Sequence, residues 1–505
     1  MKKNKHIIEK VFLEIDTNST KVANAIKNNT NMFIQEELLV LLEKELNNFS
    51  IAENEVLQIE KLTISVTNYN LKKDGFSTIS FNDDFFKREI ENQIRQKITI
   101  ILNQIKLKTD TSQETKSNLF SENRLLTYSD KQSNALIFYL LHGELPWWTT
   151  NKQETNNSID TIFHLDTIQK IAKTKLFSAQ FKKIIEKKIV QKRLINQFTN
   201  EQLALIIASF QSIKSKNCKE IIQKNRLIHF LNQINDFAIK ESFWETIFTY
   251  SIENNPKKIA LFFHEKEAYF KKNKWNFELF VTQIKEFISF NPTTKDMLEM
   301  TNKIPFLVEE TKNGNKYISN KYYITKEAKD EVNERINKEE RKVFYIQHAG
   351  LLLLHPFIKE LFKSCQLIDE ENTTIVNKEL ATHLLHYVAT KKECDYEHNM
   401  LFEKFLCGLP IGYPIKREIK IPEAYKLEAE KMLSSVVQHW TALKSTSSTI
   451  VRNEFLQRDG KLDLQESNPK IYIERKTQDI LLDRIPWNIS IVKIPWIEKL
   501  IYTEW

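Results

Sequence analysis

The sequence predicts an α+β protein that is predominantly α-helical. Three observations lead to this fold class. Only 7 of the 505 residues are glycine, the residue that frees the backbone in tight turns. Hydrophobic residues make up 41% of the chain and recur at helical spacing over most of it. Two segments near the N-terminus instead alternate as half-buried strands do. We therefore expect a small N-terminal α+β unit, a helical middle and a mixed α/β C-terminal domain.

Residues 1–107 are expected to form the α+β unit, a docking or oligomerisation module. Apolar residues alternate over 10–16 and 55–66, which predicts strands, and helical spacing over 31–49 predicts a helix. A second predicted helix, over 85–105, carries five isoleucines spaced 4, 4, 3 and 4 residues apart. They are Ile90, Ile94, Ile98, Ile101 and Ile105. We interpret this seam as packing on the unit's own sheet; a coiled-coil contact with a partner helix is the alternative.

The centre of the chain is expected to be helical between two polar segments. Residues 108–130 are polar and unpatterned, which predicts a linker. Short amphipathic patterns fill 131–310, the first of them with Ser133 as its expected N-cap, and no fixed repeat period is found. A charged helix with a narrow apolar edge is expected within 311–342, as a connector.

Residues 343–505 are the most tightly specified part of the chain. They contain seven of the 11 prolines, four of the 7 glycines, three of the 4 cysteines and four of the 8 tryptophans. Proline and glycine fix particular backbone geometries, and tryptophan makes large packing contacts. We expect a separate C-terminal domain.

Composition excludes several classes of protein. Neither GxGxxG nor GxxxxGK[ST] occurs, which excludes nucleotide chemistry built on those loops. Four cysteines without a CxxC pair predict reduced thiols, and no signal peptide or membrane span is expected. The net charge of +8 is modest for this length, and the basic runs are interleaved with acidic and apolar residues. We expect no nucleic-acid partner.

The C-terminal region contains residue types that serve in metal binding and in nucleophilic catalysis. His383 and His386 are one helical turn apart, and Cys394, His398 and Cys407 follow them. These intervals fit no zinc module, so we expect structural histidines and no metal or other cofactor. No GxSxG motif occurs, and Cys407 follows an apolar run, as a buried inert thiol does.

A carboxylate pair is the remaining catalytic candidate. Asp479 and Asp483 lie one helical turn apart, as a general acid and base could. The neighbouring Arg475 and Arg484 favour ordinary ion pairing instead. We therefore expect no enzymatic activity.

The most distinctive residues are tryptophans that follow prolines. They occur as Pro146-Trp147-Trp148, Pro486-Trp487 and Pro495-Trp496. A tryptophan after a proline is a rigid anchor with a large contact area. We interpret these residues as domain core, with a protein interface as the functional alternative.

Several long motifs, in a fixed order, carry a resemblance to a known family. They are HIIEKVFLEID (6–16), QIEKLTISV (58–66), GELPWW (143–148), RLINQF (193–198), GLLLLHPFIKELFKSCQL (350–367), ATHLLHYVAT (381–390), LFEKFLCGLPIGYPI (401–415), AEKMLSSVVQHWTALKSTS (429–447), RNEFLQRDGKL (452–462) and the closing segment 471–505 with its two Pro-Trp pairs. Together they resemble the tape measure protein family of phage-tail-like contractile injection systems. One departure is Lys391, where the family often has glycine.

The resemblance implies an assembly factor without catalytic activity, with the C-terminal domain (343–505) as its anchor. It would set tube and sheath length by contacting inner tube and baseplate proteins, with self-association left open; a cargo-loading adaptor or chaperone of the same particle is the alternative. The expected location is the cytoplasm during assembly, with retention in the finished particle as an option. The candidate family or interface residues are Pro146, Trp147, Trp148, Gly350, His355, Pro356, Phe357, Gly408, Pro410, Trp440, Arg452, Arg458, Asp479, Pro486, Trp487, Pro495 and Trp496.

Overall fold

The computed structural model divides into two units. It describes residues 6–9, 11, 14, 33–49, 51–52, 54–65, 84–110, 123–149, 160–211, 218–289, 342–371, 373–443 and 446–505. The first unit holds the described residues within 1–134 and 147–158, and the second holds those within 135–146 and 159–505. Most of the predicted opening strand and all but Lys342 of the predicted charged connector lie outside the described residues.

The described residues are mainly α-helical, in agreement with the predicted fold class. The α-helices are α1 (Leu39–Asn47), α2 (Asp84–Asp110), α3 (Tyr128–His142), α4 (Leu165–Ala172), α5 (Lys175–Ile184), α6 (Lys188–Gln197), α7 (Asn200–Phe210), α8 (Cys218–Lys224), α9 (Arg226–Gln233), α10 (Phe237–Glu253), α11 (Pro256–Glu265), α12 (Glu267–Lys272), α13 (Phe277–Lys285), α14 (His355–Ser364), α15 (Lys378–Thr390), α16 (Leu401–Leu406), α17 (Glu423–His439) and α18 (Ser448–Val451). No helix in the described ranges has both the length and the apolar character that crossing a membrane requires.

In the first unit, a two-stranded sheet accompanies α1 and α2. Strand β1 (Glu55–Gln58) pairs antiparallel with β2 (Arg124–Thr127). The sequence did not predict strand β2, and residues 108–130, which contain it, were expected to form a linker. Of the isoleucine seam on α2, Ile90, Ile94 and Ile98 are buried together with Leu42, and partly buried residues of α1 and of 57–64 pack around them. These isoleucines therefore pack within their own unit.

The start of helix α3 differs from the prediction. Ser133 is not its N-cap, because the helix already begins at Tyr128. The Ser133 hydroxyl donates a hydrogen bond to the Ser129 carbonyl at 2.8 Å, and the Thr127 hydroxyl accepts one from the Asp130 amide at 3.1 Å. Thr127, directly before the helix, therefore acts as the N-cap, whereas the sequence predicted Ser133, about one and a half turns later.

Helices α4–α13 of the second unit surround a continuous apolar core rich in phenylalanine and isoleucine. Local sequence sets where several of them begin. Thr199 and Gln202 form a capping box at α7, Asn225 and Asn276 accept amide hydrogen bonds at α9 and α13, and Pro256 opens α11. Because these residues start new helices at short intervals, the helices are short and pack against each other.

The second unit also contains a five-stranded mixed sheet. Its strands are β3 (Val343–Ile346), β4 (Gly460–Asp463), β5 (Lys470–Ile473), β6 (Ile491–Val492) and β7 (Ile501–Glu504), in the spatial order β3-β4-β5-β7-β6. Only β5 and β7 pair in parallel. Leu462 and Ile471, which are paired in register, are buried on the inner face with Ile501 of β7. Helices α14–α18 supply most of the remaining core on that side.

A 3-10 helix, Ala349–Leu354, connects β3 to α14, and all six of its residues are buried. Gly350 lies directly against the backbone of a π-helical turn, Arg452–Leu456. A Cβ atom at Gly350 would lie 1.7 Å from the Phe455 carbonyl oxygen. Only glycine therefore fits where these two segments cross.

Lys391 ends helix α15 in the left-handed conformation, with φ 61° and ψ 9°. A Cβ atom makes this conformation unfavourable by about 1–2 kcal/mol, which glycine avoids. Glycine also raises the entropy of the unfolded chain, which offsets part of this gain. We therefore expect Lys391→Gly to raise the free energy of unfolding by a net value of about 1 kcal/mol. Chemical denaturation measures the change. Lys359→Gly, in the interior of α14, is the control and should lower stability by about 1 kcal/mol; the same sign for both variants would contradict the prediction.

Candidate functional site

The predicted tryptophans differ in burial, but those of the C-terminal region all use their indole N–H within the chain. Trp440 is fully buried and donates to the Leu481 carbonyl at 3.1 Å. Trp487 and Trp496 are half-buried and donate to the Leu353 and Leu406 carbonyls at 3.0 and 2.7 Å. These indoles tie the closing segment to the helices beneath it.

Trp147 and Trp148, in the first unit, lie in a 3-10 turn and are half-buried. The Lys131 ammonium lies 5.5 Å from the centre of a Trp148 ring, within the range of a cation–π interaction. Pro146 is buried in the second unit. The role of this motif as an interface stays a prediction.

Arg452 and Arg458 are buried and each forms an ion pair, Arg458 with Asp479. Arg458 contacts Asp479 at 2.6 Å and donates to the Glu474 carbonyl at 3.1 Å. Arg452 contacts Glu430 at 2.5 Å and donates to the Val388 carbonyl at 2.8 Å. Both arginines therefore bridge separate segments, and Asp479 is engaged as an ion-pair partner rather than held in a carboxylate pair.

The remaining predicted residues lie in turns and at packing edges. Phe357 packs on Trp487 with ring centres 5.2 Å apart, and His355 Nε2 lies 2.8 Å from the Asn488 carbonyl. Burial lowers the pKa of His355. Gly408 adopts the left-handed backbone conformation, and its carbonyl oxygen accepts a hydrogen bond from the Lys378 ammonium. Pro410, two residues later, is half-buried. The exposed members of the predicted set are Pro356, Pro486 and Pro495.

A buried ionic junction, which was not predicted, joins the helical core to the C-terminal region. It consists of Arg193 on α6, Glu397 in a 3-10 turn and Lys404 on α16, all with fully buried side chains. The Glu397 carboxylate contacts the Arg193 guanidinium and lies 3.3 Å from the Lys404 ammonium. Arg193 also donates to the Leu140 carbonyl at 2.7 Å and to the Gly412 carbonyl. One carboxylate thus faces two buried cations.

Neutral hydrogen bonds extend the junction along α6. Gln197 accepts from the Tyr139 hydroxyl and from the Glu397 amide, both at 3.0 Å, and donates to the Ile415 carbonyl at 2.8 Å. Burial raises the pKa of Tyr139 well above its usual value, so its hydroxyl stays a donor. The motifs RLINQF and LFEKFLCGLPIGYPI meet here, although they lie about 200 residues apart in sequence. The available sequence signal was the RLINQF motif itself, which places Arg193 and Gln197 one helical turn apart.

A second buried polar cluster contains residues of the types that bind metals. His348, His386 and Glu403 each offer one atom, and these atoms lie within 4.8 Å of one another. His383, one helical turn from His386, is not a member of this cluster, and its Nε2 lies 2.8 Å from the Lys416 carbonyl oxygen. Burial raises the pKa of the Cys407 thiol to about 12. Burial alone would raise the pKa of Glu403, but the two histidines lower it to about 2.

His398 lies fully enclosed among aromatic rings, and neither of its ring nitrogens has a hydrogen-bond partner among the described residues. Its ring stacks on Phe163, with centres 5.6 Å apart, and meets Tyr139 edge-on at 5.8 Å. Burial lowers the pKa of His398 to about 4, opposed by Asp395 and assisted by Lys404. The folded protein therefore keeps this imidazole neutral.

This burial predicts acid sensitivity. Because the folded-state pKa is below the unfolded value of 6.5, the stability contributed by neutral His398 is present above pH 6.5 and is lost as the pH falls towards 4. A shift of this size corresponds to about 3 kcal/mol. We expect His398→Phe to remove that loss, measured as the free energy of unfolding at pH 7 and pH 4.5. His439→Phe, at an exposed position, should leave the pH dependence unchanged; an unchanged slope in His398→Phe would contradict the prediction.

The outer face of the five-stranded sheet is rich in tyrosine and lysine. Tyr345, Lys461 and Tyr472 are neighbours in register across β3, β4 and β5. Tyr502 pairs with Ile491 at the β7–β6 edge. The exposed fractions are 50% for Tyr345, 47% for Ile491 and 38% for Tyr502. Aromatic and apolar side chains in this arrangement are typical of a protein-binding surface. We call these five residues the outer sheet face.

Comparisons with known proteins give one match. The family model described as contractile injection system tape measure protein matches residues 5–505, which is essentially the whole chain. Searches of curated proteins and of solved structures returned no match. The family match spans both units, including the ionic junction and the outer sheet face. The chain therefore belongs to the contractile injection system tape measure protein family.

Proposed function

We propose that this protein is a non-enzymatic assembly factor that sets the length of the tube and sheath of a contractile injection particle while remaining folded. The observation that carries the proposal is the family match over residues 5–505. Its partners are the inner tube and baseplate proteins of the particle, and its work takes place in the cytoplasm before the particle is complete.

The packing of the second unit supports a folded rather than an extended protein. A single helix of the whole chain would span about 760 Å, at 1.5 Å per residue. Among the described helices of 160–289, the longest is Phe237–Glu253, about 25 Å. Extending this region would expose its apolar core and break the ionic junction. We therefore propose that the protein sets tube length through contacts with the ends of the growing tube. Its central helical region would not be stretched out along the tube.

Insertions separate the two mechanisms. Helical inserts of increasing length are placed within 212–217, between α7 and α8, and particle length is measured by negative-stain electron microscopy. An extended ruler predicts growth of about 1.5 Å per inserted residue, whereas the folded assembly factor predicts constant length. The same inserts at 444–445 are the control, since both mechanisms predict no lengthening there. Proportional growth from the central inserts alone would overturn the folded mechanism.

The outer sheet face is the proposed anchor to the baseplate. It combines exposed Tyr345, Ile491 and Tyr502 on a sheet whose other face is fixed to the core. We expect Ile491→Asp combined with Tyr502→Lys, which places opposite charges across the β6–β7 pair, to reduce assembled particles at least tenfold without changing the melting temperature of the purified protein. Ile480→Asp is the matched control, since Ile480 is 73% exposed but lies outside the sheet. Normal assembly with the double variant would contradict this assignment.

A gene deletion tests the alternative role as a cargo-loading adaptor. The assembly proposal predicts that particles are lost or vary widely in length without this protein. Particles of normal length that lack cargo would instead identify an adaptor. Microscopy and cargo content, measured on the same preparation, decide between the two.

A further inference from the structure

The buried cluster of His348, His386 and Glu403 joins three separate elements of the C-terminal region. His348 lies between β3 and the 3-10 helix, His386 on α15 and Glu403 on α16. Glu403 Oε1 is 2.7 Å from His348 Nδ1 and 3.1 Å from His386 Nδ1. All three side chains are at least nine-tenths buried. We propose that these residues bind one zinc ion, which fixes the three elements to each other.

The donor atoms suit zinc in type and position. Two imidazole nitrogens and one carboxylate oxygen are a recognised ligand set, and water can complete the tetrahedron. Ligand bonds of 2.0–2.1 Å separate tetrahedral donors by about 3.3 Å. The Glu403–histidine separations of 2.7 and 3.1 Å are slightly shorter than this value, and all three donor atoms lie within 4.8 Å of one another. Shifts of about 1 Å or less per side chain would therefore bring the donors to tetrahedral spacing. The rings of His348 and His386 lie at 68° with centres 5.1 Å apart, so they converge from different directions.

The surroundings supply a second carboxylate behind the ligands. Asp395 Oδ2 lies 3.3 Å from His386 Nε2, on the ring edge opposite Glu403. A carboxylate in this position orients a metal-bound histidine through its second ring nitrogen. Glu403 Oε2 is buried without a hydrogen-bond partner among the described residues, so this carboxylate has unused capacity.

Charge also favours a divalent cation. The cluster holds two buried carboxylates, Glu403 and Asp395, and the exposed ammonium of Lys392 reaches only Asp395, at 3.2 Å. Zinc displaces the proton from each imidazole nitrogen that it binds, so with the ion in place the imidazoles are neutral and its charge balances the two carboxylates. Since the site is enclosed, the ion would be bound as the protein folds.

The test begins with the unmodified full chain. The protein is purified without added metal, its metal content is measured by mass spectrometry, and it is then unfolded with a chelator and refolded with zinc or cobalt(II). We expect one zinc ion per chain, a higher melting temperature with zinc than with the chelator, and the visible absorption bands of tetrahedral cobalt. Refolded protein that binds neither metal would overturn the proposal, and the cluster would be held by hydrogen bonds alone.

Two variants assign the ligands. We expect His348→Gln to reduce bound zinc at least tenfold, because glutamine retains a hydrogen-bonding side chain but is a poor zinc ligand. His439→Gln changes an exposed histidine on α17 and should retain the metal. Circular dichroism tests whether both variants fold. If His348→Gln does not fold, the cobalt spectrum of the unmodified chain still tests whether the site binds metal. Full zinc content in folded His348→Gln would overturn the ligand assignment.

Discussion

Replacing Glu397 with glutamine is expected to lower the free energy of unfolding by about 3–5 kcal/mol, because it removes the carboxylate that pairs with both cations of the buried ionic junction. Glu397 faces both Arg193 and Lys404, and the side chains of all three residues are fully buried. Burial already lowers the pKa of Lys404, while Glu397 raises it. Without the carboxylate, the two buried cations would keep hydrogen bonds to backbone carbonyls but would lose their direct ion-pair partner. The buried Glu144 also raises the pKa of Lys404, but by less than Glu397 does.

The measurement is chemical denaturation of the purified full chain, followed by circular dichroism. Glu267→Gln is the matched control, since Glu267 pairs with Lys271 at 2.8 Å on an exposed helix surface. The control should cost at most about 0.5 kcal/mol. A loss below about 1 kcal/mol for Glu397→Gln would show that the junction does not hold the two parts of the second unit together.

Gly350→Ala is expected to destabilise the C-terminal region by more than about 4 kcal/mol, which is exceptional for a single methyl group. The added Cβ would lie 1.7 Å from the Phe455 carbonyl oxygen and 2.9 Å from the Leu456 Cα. Both are backbone atoms, so no side-chain rotation relieves the clash. The 3-10 helix must then separate from the turn over 452–456, and its buried leucines lose their contacts.

Gly408→Ala provides the comparison for this prediction. Gly408 has a φ of +65°, but its nearest neighbour to a new Cβ is the flexible end of Lys378 at 3.5 Å. We expect a cost of about 1 kcal/mol from backbone strain alone. Thermal melting and soluble yield measure both variants. Similar stability for the two would mean that the chain can relax at Gly350, contrary to the prediction.

Local patterns in the sequence predicted most helices, because their spacing and caps lie within a few residues of each other. Strand β2 escaped prediction since four residues in a polar segment carry little pattern, and its partner β1 lies about 65 residues earlier. The N-cap of α3 was misplaced for a related reason: Thr127 and Ser133 are both plausible caps, and only the preceding strand decides between them.

The candidate site shows the same limit more strongly. Arg193 and Glu397 are 204 residues apart, and His348 and Glu403 are 55 apart, so no local spacing connects them. The tryptophan motifs were visible because each is contiguous. Whether each tryptophan belongs to the domain core or to an interface depends on long-range contacts. The indole N–H groups of Trp487 and Trp496 donate to carbonyls 134 and 90 residues away. Such contacts follow from the fold rather than from the motif.

The position of strand β7 has a consequence for how the protein is made. In chain order β7 is the last described strand, yet it lies between β5 and β6 in the sheet. While residues 501–504 are still inside the ribosome, β6 has no neighbour and β5 lacks one of its two partners. The sheet therefore closes only after synthesis has passed residue 504. We expect chains truncated before that point to leave Ile471 and Val492 uncovered, and exposed apolar surface of this kind favours aggregation and recognition by chaperones.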